Sequence, residues 1–181
     1  VIRTMNHELC PERRRDAVAR DHRKRAAVVG GDHEQRPAPL QRDLALRRLL
    51  PRISELALLA ARANIGLTID AEEADRLDLS LEVAAVLAND ARTRHWDGLG
   101  LAVQAYGLRA PLVVDRVTQL ARDAGRRMTV RLAKGAYWDT EIKRAQERGL
   151  AGFPVFTLKA ATDVSYLACA LRLFAARDVI H

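Results

Sequence analysis

The sequence predicts an α/β protein, an incomplete (β/α)8 barrel, because short apolar strands alternate with amphipathic helical patterns. Strand-like runs are found at residues 65–70, 99–106, 128–137 and 154–157, and each leads into a helical pattern. Ile69, Val103, Val130 and Phe156 occupy matching positions, so the repeat is 34, 27 and then 26 residues long. The runs are apolar on both faces, which is typical of buried parallel strands.

The helices of this pattern can be assigned in order. An amphipathic helix runs from about Leu44 to Ala60 and precedes the first strand. Further helices are predicted at residues 71–87, 111–124, 140–148 and 161–176, and Val179-Ile180 begins another strand. No Gly-x-Gly-x-x-Gly fingerprint follows any strand, which disfavours a Rossmann domain. A whole barrel usually takes about 250 residues, so four to five βα units are a fraction of one.

The N-terminal stretch differs from the rest of the chain. Residues 1–50 hold 12 Lys and Arg against 7 Asp and Glu, whereas the remaining residues hold 18 against 16. Arginines cluster there, Gly and Pro interrupt the pattern, and no helical or alternating period is sustained. We therefore predict a basic, poorly ordered or non-homologous arm at residues 1–46 and a partial barrel at residues 47–181.

Several classes of protein are disfavoured by composition. No apolar run reaches the roughly 20 residues of a membrane helix, and no secretory signal is recognised. Cys10 and Cys169 lie far apart, which indicates a reducing compartment and, for Cys169, an inert buried thiol. The histidines show no ligand spacing, so no metal is assigned. The expected location is cytoplasmic.

Polar side chains follow the predicted strands at their carboxyl ends, where barrel enzymes build their active sites. Asp70 follows the first strand and Gln104 and Tyr106 end the second; Arg131, Lys134, Gly135, Ala136, Tyr137 and Trp138 belong to the third, and Thr157 and Lys159 to the fourth. Arg131 interrupts an apolar strand, so we expect it to have a buried partner. Structural interpretations compete: Asp70 can cap a helix, and Glu72 and Glu73 can be first-turn acids.

The stretches NIGLTIDAEEADRLDLSL, WDGLGLAVQAY, VRLAKGAYWDTEIKRAQERGL and FPVFTLKAATDVSYLACA resemble the proline dehydrogenase domain of bacterial proline-utilisation flavoproteins. The similar region extends from about Arg48 to His181. The resemblance implies a distorted (β/α)8 barrel that binds FAD and oxidises L-proline to pyrroline-5-carboxylate by hydride transfer to flavin N5. It also implies a quinone acceptor and peripheral contact with the inner membrane.

The resemblance also implies roles for individual residues. Arg131 resembles the residue near flavin N5, Gln104 the contact to the flavin ring, and Asp70 a carboxylate that supports both; Arg131, Asp70 and Tyr137 are the catalytic candidates. Leu132 and Tyr137 resemble residues that line the proline pocket. The remaining cofactor-binding candidates are Lys134, Gly135, Ala136, Trp138, Thr157, Lys159 and Thr162.

The chain also departs from the family pattern. Leu158 stands where an arginine is usual, and residues 25–40 do not resemble the early strand whose lysine helps to hold the substrate. One alternative is therefore that the isolated chain is an inactive, truncated fragment of the enzyme. A second alternative is a barrel enzyme that uses Lys134 as a Schiff-base nucleophile. A third is a nucleic-acid binder that uses the basic arm. The arm lacks interleaved aromatic residues, so no nucleic acid is expected.

Overall fold

A computed structural model describes the backbone of residues 2–5 and 39–181 and the side chains of residues 42–181. A sheet of four strands lies at its centre, in the order β1-β2-β3-β4. These strands are β1 (Ile2–Met5), β2 (Gly66–Ile69), β3 (Leu99–Gln104) and β4 (Thr129–Ala133). β2 pairs with β3, and β3 with β4, in the parallel direction, whereas β1 pairs with β2 in the antiparallel direction. The predicted patternless arm therefore contributes one strand to the sheet.

Five α-helices surround this sheet in the part of the chain that the structure describes. They are α1 (Pro39–Arg62), α2 (Leu77–Ala88), α3 (Ala110–Asp123), α4 (Trp138–Glu147) and α5 (Lys159–Ala175). α1 begins within the segment that the sequence assigned to the arm, so the helical pattern extends N-terminally beyond Leu44. The predicted domain boundary at residue 46 stays a prediction.

The two faces of the sheet carry different side chains. The register pairs Leu101 with Val130 and Val103 with Leu132, so these apolar residues share one face. That face packs into an aliphatic core with α2 and α3, in which Leu99, Leu101 and Val114 are at most 1% exposed. The opposite face carries small or polar residues, because Ala102 pairs with Arg131 and Gln104 with Ala133. Alternation along the strands therefore separates the core from the candidate site.

The predicted strand at residues 154–157 is wrong. Val155 forms one isolated antiparallel bridge with Gly107. The amide of Phe156 donates to the Tyr106 carbonyl at 2.8 Å, and the amide of Leu108 donates to the Pro154 carbonyl at 3.0 Å. The segment covers the turn after β3, and Pro154 has no N–H to donate to a ladder.

The end of the chain continues the parallel arrangement. Ile180 forms a parallel bridge with Met128, and the amide of Val130 donates to the His181 carbonyl at 2.9 Å. The prediction that Val179-Ile180 begins a strand is confirmed to this extent. The described residues thus form three βα units and the start of a fourth strand, rather than the four to five units that were predicted. The class is unchanged: an α/β partial barrel.

The helix predicted to begin at Ala71 starts later. Residues 70–73 belong to no helix or strand, a 3-10 turn spans Ala74–Arg76, and α2 begins at Leu77. Asp70 is therefore not a helix cap, and its carboxylate is available for other contacts. Residues 73–75 contact Glu141, Arg144 and Arg148, at and just after α4.

Candidate active site

Arg131, two residues before the carboxyl end of β4, forms an ion pair with Asp70, which directly follows β2. The Nη2 atom of Arg131 donates to Oδ1 of Asp70, which also accepts the amide of Ala71 at 3.1 Å. The side chain of Arg131 is 38% exposed and that of Asp70 is 15% exposed. The expectation that Arg131 has a partner is confirmed, although the pair is half-buried rather than fully buried. A partly desolvated pair of this kind keeps the guanidinium at a fixed position while part of it still reaches solvent.

Gln104 joins the loops that follow β2 and β4. Its Nε2 donates to the Glu72 carbonyl at 2.8 Å, and its Oε1 accepts the amide of Ala136 at 2.8 Å. One amide side chain thus satisfies a backbone acceptor on one loop and a backbone donor on the next. Gln104 therefore fixes the spacing between the Asp70 loop and the turn before α4.

Gly135 allows the chain to turn sharply after β4. Its φ is +148°, and a Cβ added there would lie 2.4 Å from ring atoms of Tyr106. Tyr106 is 5% exposed, so its ring has little room to move aside. Burial, and next the charge of Glu141, raise the pKa of the Tyr106 hydroxyl well above its ordinary range. Only glycine suits this turn, which places Lys134 and Ala136 on either side of the close approach.

A cleft of about 600 Å³ opens beside this turn. Its walls consist of aromatic rings, hydroxyls and two ammonium groups: Tyr106, Lys134, Gly135, Ala136, Tyr137, Trp138, Asp139, Thr140, Thr157, Lys159 and Thr162. The indole Nε1 of Trp138 donates to the Phe156 carbonyl at 2.8 Å, which holds the β4–α4 turn against the segment before α5. The cleft therefore combines flat apolar surfaces with cationic groups.

Lys134 and Lys159 share one carboxylate at the rim of the cleft. Nζ of Lys134 lies 2.5 Å from Oδ1 of Asp163, and Nζ of Lys159 lies 2.7 Å from Oδ2. Lys134, followed by Lys159, lowers the pKa of Asp163 below the ordinary aspartate range. The side chains are 53%, 80% and 37% exposed in the order Lys134, Lys159 and Asp163, so water screens these pairs strongly. The cluster has a net positive charge and an anion can reach it.

The structure brings most of the predicted site residues into two adjoining groups. Asp70, Gln104 and Arg131 form what we call the strand-end cluster. The residues from Lys134 to Trp138 line the cleft together with Thr157, Lys159 and Thr162. Leu132 does not join them, because it lies on the other face of β4 and packs against the core. Its assignment to a substrate pocket stays a prediction.

Two buried acids next to the site were not identified from the sequence. Glu73 is 7% exposed and Glu141 is 3% exposed, and both lie between the loop after β2 and helix α4. Burial raises the pKa of Glu141 above the ordinary glutamate range. For Glu141, the sequence signal for burial was its position on the same helical face as Ala145. Glu73 gave no such signal, because it resembled an ordinary first-turn acid. Within the described ranges no group of three or more His, Cys, Asp or Glu could hold a metal ion.

The arrangement can bind a large ligand that carries both a flat ring system and an anionic group. The strand-end cluster offers hydrogen-bond donors from Arg131, and the cleft offers aromatic walls and two lysines. The fold and this strand-end site define the chain as part of a barrel enzyme of the α/β class.

The chain belongs to the proline dehydrogenase family, since the family model described as Proline dehydrogenase matches residues 5–181. It is 62% identical over 119 residues to the bifunctional protein PutA of Rhizobium meliloti, which covers 66% of this chain and 10% of that protein. It is 51% identical over 141 residues to PutA of Salmonella typhimurium, covering 78% of this chain and 11% of that protein. The chain thus spans about a tenth of the length of these relatives.

Solved structures agree with the family assignment. The Bradyrhizobium japonicum proline utilization A mutant D779W has a TM-score of 0.75 and 55% identity, and the alignment covers 77% of this chain and 14% of that one. Proline utilization A from Bdellovibrio bacteriovorus inactivated by N-propargylglycine has a TM-score of 0.76 and 28% identity, and covers 92% of this chain and 19% of that one.

Proline dehydrogenases are in general flavin-dependent, and the site suits such a group. The close approach at Gly135 exposes backbone to a ligand, the aromatic walls match a flat ring, and Lys134 and Lys159 match a charged tail. In the part of the chain that the structure describes, no helix has the length and apolar character needed to cross a membrane.

Proposed function

We propose that these residues form the part of a proline dehydrogenase that holds FAD beside L-proline, which is oxidised to pyrroline-5-carboxylate. The observation that carries the proposal is the adjacency of the strand-end cluster to a cleft with two lysines. Hydride acceptance from the proline ring is the chemistry that bound FAD supplies. The residues of this chain bind and orient the reactants.

Arg131 is the candidate for the group next to the redox centre. A guanidinium stabilises negative charge that develops on a neighbouring ring, because it is preorganised and partly desolvated. Asp70 fixes the orientation of Arg131 through the ion pair, and Gln104 holds the loop that carries Asp70. We propose that these contacts keep the guanidinium in one position while the substrate and the product exchange.

The cleft provides the candidate site for the phosphates and the substrate. Lys134 and Lys159 provide positive charge, and the hydroxyl of Thr157 provides a neutral donor at the same wall. Tyr137 is half-buried in the cleft wall, where its ring can exclude water from a small cyclic substrate. The predicted contact of Leu132 with proline would require the substrate to reach the core-facing side of β4.

A Schiff-base mechanism at Lys134 is less well supported. Such a lysine must be neutral to attack a carbonyl, and burial among apolar groups is the usual means of making it so. Lys134 is half-exposed and ion-paired with Asp163 at 2.5 Å, so it lacks the burial among apolar groups that such a nucleophile requires. The alternative in which the basic arm binds nucleic acid depends mainly on residues 6–38, which lie outside the described ranges.

The test is a visible absorption spectrum of the purified chain after incubation with FAD and desalting, followed by anaerobic addition of L-proline. Retained flavin that bleaches with proline supports both the FAD site and the assignment of L-proline as the substrate. Retained flavin that stays oxidised would overturn the substrate assignment for this chain. Absence of retained flavin would overturn the proposed cofactor site.

The electron acceptor and the membrane contact are proposed from the family resemblance alone. We propose that a quinone accepts the electrons from this chain and that the chain contacts the inner membrane peripherally. Reoxidation of the proline-reduced chain by a water-soluble quinone, with co-flotation on anionic vesicles, tests both ideas. A reduced chain that is stable to quinone, or one that stays off the vesicles, argues against the corresponding statement.

A further inference from the structure

The loop at residues 70–76 builds much of the site but has little regular structure of its own. Asp70 provides the partner of Arg131, and the Glu72 carbonyl is the acceptor for Gln104. Residues 70–73 form neither helix nor strand, and the single 3-10 turn that follows is short. A segment of this kind keeps one conformation only if other elements hold it.

Helix α4 holds this loop through one of its faces. Glu141 and Arg144 lie on α4, and Arg148 is the residue that caps its C-terminus. The three are spaced at i, i+3 and i+7, so their side chains project from the same side. They contact three consecutive residues of the loop. Glu141 Oε1 accepts the amide of Ala74 at 2.6 Å. Arg144 Nη2 lies 3.2 Å from Glu73 Oε1, and Arg148 Nη1 lies 3.1 Å from Asp75 Oδ2. The helix therefore contacts the loop residue by residue.

Burial makes the inner two contacts unlike ordinary surface pairs. Glu141 is 3% exposed, and the side chains of Arg144 and Glu73 are 19% and 9% exposed. Burying a carboxylate is unfavourable unless donors compensate for the lost water, so Glu141 and its backbone donor form a contact with a specific geometry. The outer pair, Arg148 and Asp75, is more exposed, at 37% and 23%.

The same segment is held from its other side. Gln104 links the Glu72 carbonyl to the amide of Ala136, which lies just before α4. The loop is thus held between β3 and the β4–α4 turn at Glu72, and by α4 at residues 73–75. Displacement of the loop at residue 74 would therefore move both Asp70 and the acceptor of Gln104.

We propose that the α4 face formed by Glu141, Arg144 and Arg148 is a brace that positions the Asp70 loop, with Glu141 as the central positioning residue. The inference rests on the proposed function, because the brace acts on the flavin site only through Asp70 and Gln104. Glu141 needs no contact with the substrate or the cofactor for this role.

The experiment compares Glu141→Ala with Glu141→Gln in the full chain. Glutamine keeps an oxygen that accepts the Ala74 amide, whereas alanine removes the acceptor and leaves a buried donor unsatisfied. The measurements are the FAD dissociation constant, from quenching of flavin fluorescence, and amide hydrogen exchange of residues 71–76. Glu147→Ala is the matched control, since Glu147 lies on the same helix with its side chain 60% exposed.

We expect Glu141→Ala to weaken FAD binding about tenfold and to speed exchange in the loop, while Glu141→Gln stays within about threefold of the parent. The inference is overturned if Glu141→Ala leaves both exchange and affinity unchanged, or if Glu141→Gln is as damaging as Glu141→Ala. If Glu141→Ala does not fold, the same measurements are made on Arg148→Ala. FAD binding that is about threefold weaker, with faster amide exchange near Asp75, supports the brace. Unchanged FAD affinity and unchanged exchange overturn it. If the parent binds no FAD, the proposed function fails, and loop exchange alone still tests the brace.

Discussion

Two arginines at opposite ends of the parallel strands have different surroundings. Arg126 lies just before β4 and is 5% exposed, and its guanidinium donates to the carbonyls of Ala88, Thr93 and Trp96. Arg131 lies near the other end of β4 and pairs with Asp70, with its side chain 38% exposed. Arg126 uses its donors to hold backbone together, whereas Arg131 keeps part of its surface open. The difference is the one expected if Arg126 stabilises the fold at the amino ends of the strands and Arg131 belongs to the proposed site at the carboxyl ends.

Arg126→Met is expected to have the largest effect on stability. The substitution leaves several buried carbonyls without their donor and should lower the free energy of unfolding by about 3 kcal/mol. Urea unfolding measures this loss. Arg92→Met is the control, since Arg92 has Asp90 as its single ion-pair partner among the described residues and its side chain is 61% exposed. An unfolding midpoint for Arg126→Met equal to that of the control would contradict the structural role.

Gly135→Ala should follow in size. A Cβ would lie 2.4 Å from the buried Tyr106 ring, and the φ of +148° disfavours any side chain, so we expect a loss of about 2–3 kcal/mol. Gly152→Ala is a matched control, because an added Cβ there meets nothing within 4 Å. Thermal unfolding of the two variants compares them directly. If both melt alike, the close packing of Gly135 against Tyr106 is wrong.

Arg131→Met should cost less stability than Arg126→Met, about 1 kcal/mol, because water already screens part of the Asp70 pair. Chemical denaturation of the two variants under the same conditions is the measurement. Arg109→Met serves as the control for an exposed pair, since Arg109 and Asp78 are 50% and 68% exposed. A loss for Arg131→Met as large as that for Arg126→Met would remove the distinction between the two ends.

Glu141 predicts a pH dependence of stability. Burial raises its pKa in the folded chain, and the charges of Asp75 and Glu73 add to this, while the Ala74 amide and Arg144 act in the opposite direction. The folded chain therefore binds this proton more tightly than the unfolded chain. The contribution of Glu141 is fully present below the unfolded pKa and is lost as pH rises through the raised pKa.

Glu141→Gln should remove this dependence. We expect the melting temperature of the parent, relative to that of the variant, to fall as the pH rises above the ordinary glutamate pKa of about 4.3. Differential scanning calorimetry over a series of pH values is the measurement. Parallel profiles for the two proteins would show that Glu141 titrates normally.

Asp163→Asn should have the smallest effect on the fold. Its pairs with Lys134 and Lys159 are exposed, so we expect no measurable change in melting temperature. Removal of the carboxylate should nevertheless increase the affinity for ADP severalfold at low salt, with the gain lost at high salt. Titration calorimetry at two salt concentrations tests this. An affinity that falls would mean that Asp163 orients the lysines rather than competing with the anion.

The sequence predicted the fold class and the residues of the strand-end cluster, because both depend on local patterns. Apolar runs indicated β2, β3 and β4, and the position of Arg131 inside an apolar strand indicated that it has a partner, which the structure identifies as Asp70. The short run at residues 154–157 was misassigned, because a run of four residues that begins with a proline fits a strand or a covering segment equally well. Parallel pairing could not be checked before the tertiary contacts were known.

The brace on α4 lay outside the reach of sequence reasoning for a related reason. Glu141 and Ala74 are 67 residues apart, and nothing in their local sequence links them. Glu73 also matched a simple dipole interpretation, which its burial now replaces. The contacts that orient a site come from packing between distant elements, whereas the residues that line it follow strand ends and can be read from the chain.

The most direct test of the central claim is the FAD dissociation constant of Arg131→Met compared with that of Arg126→Met, both measured at a temperature where each variant is folded. The account predicts that Arg131→Met weakens binding by about tenfold or more, whereas Arg126→Met stays within about threefold of the parent despite its lower stability. Equal affinities for Arg131→Met and the parent, or a larger loss for Arg126→Met, would contradict a flavin site at the carboxyl ends of the strands.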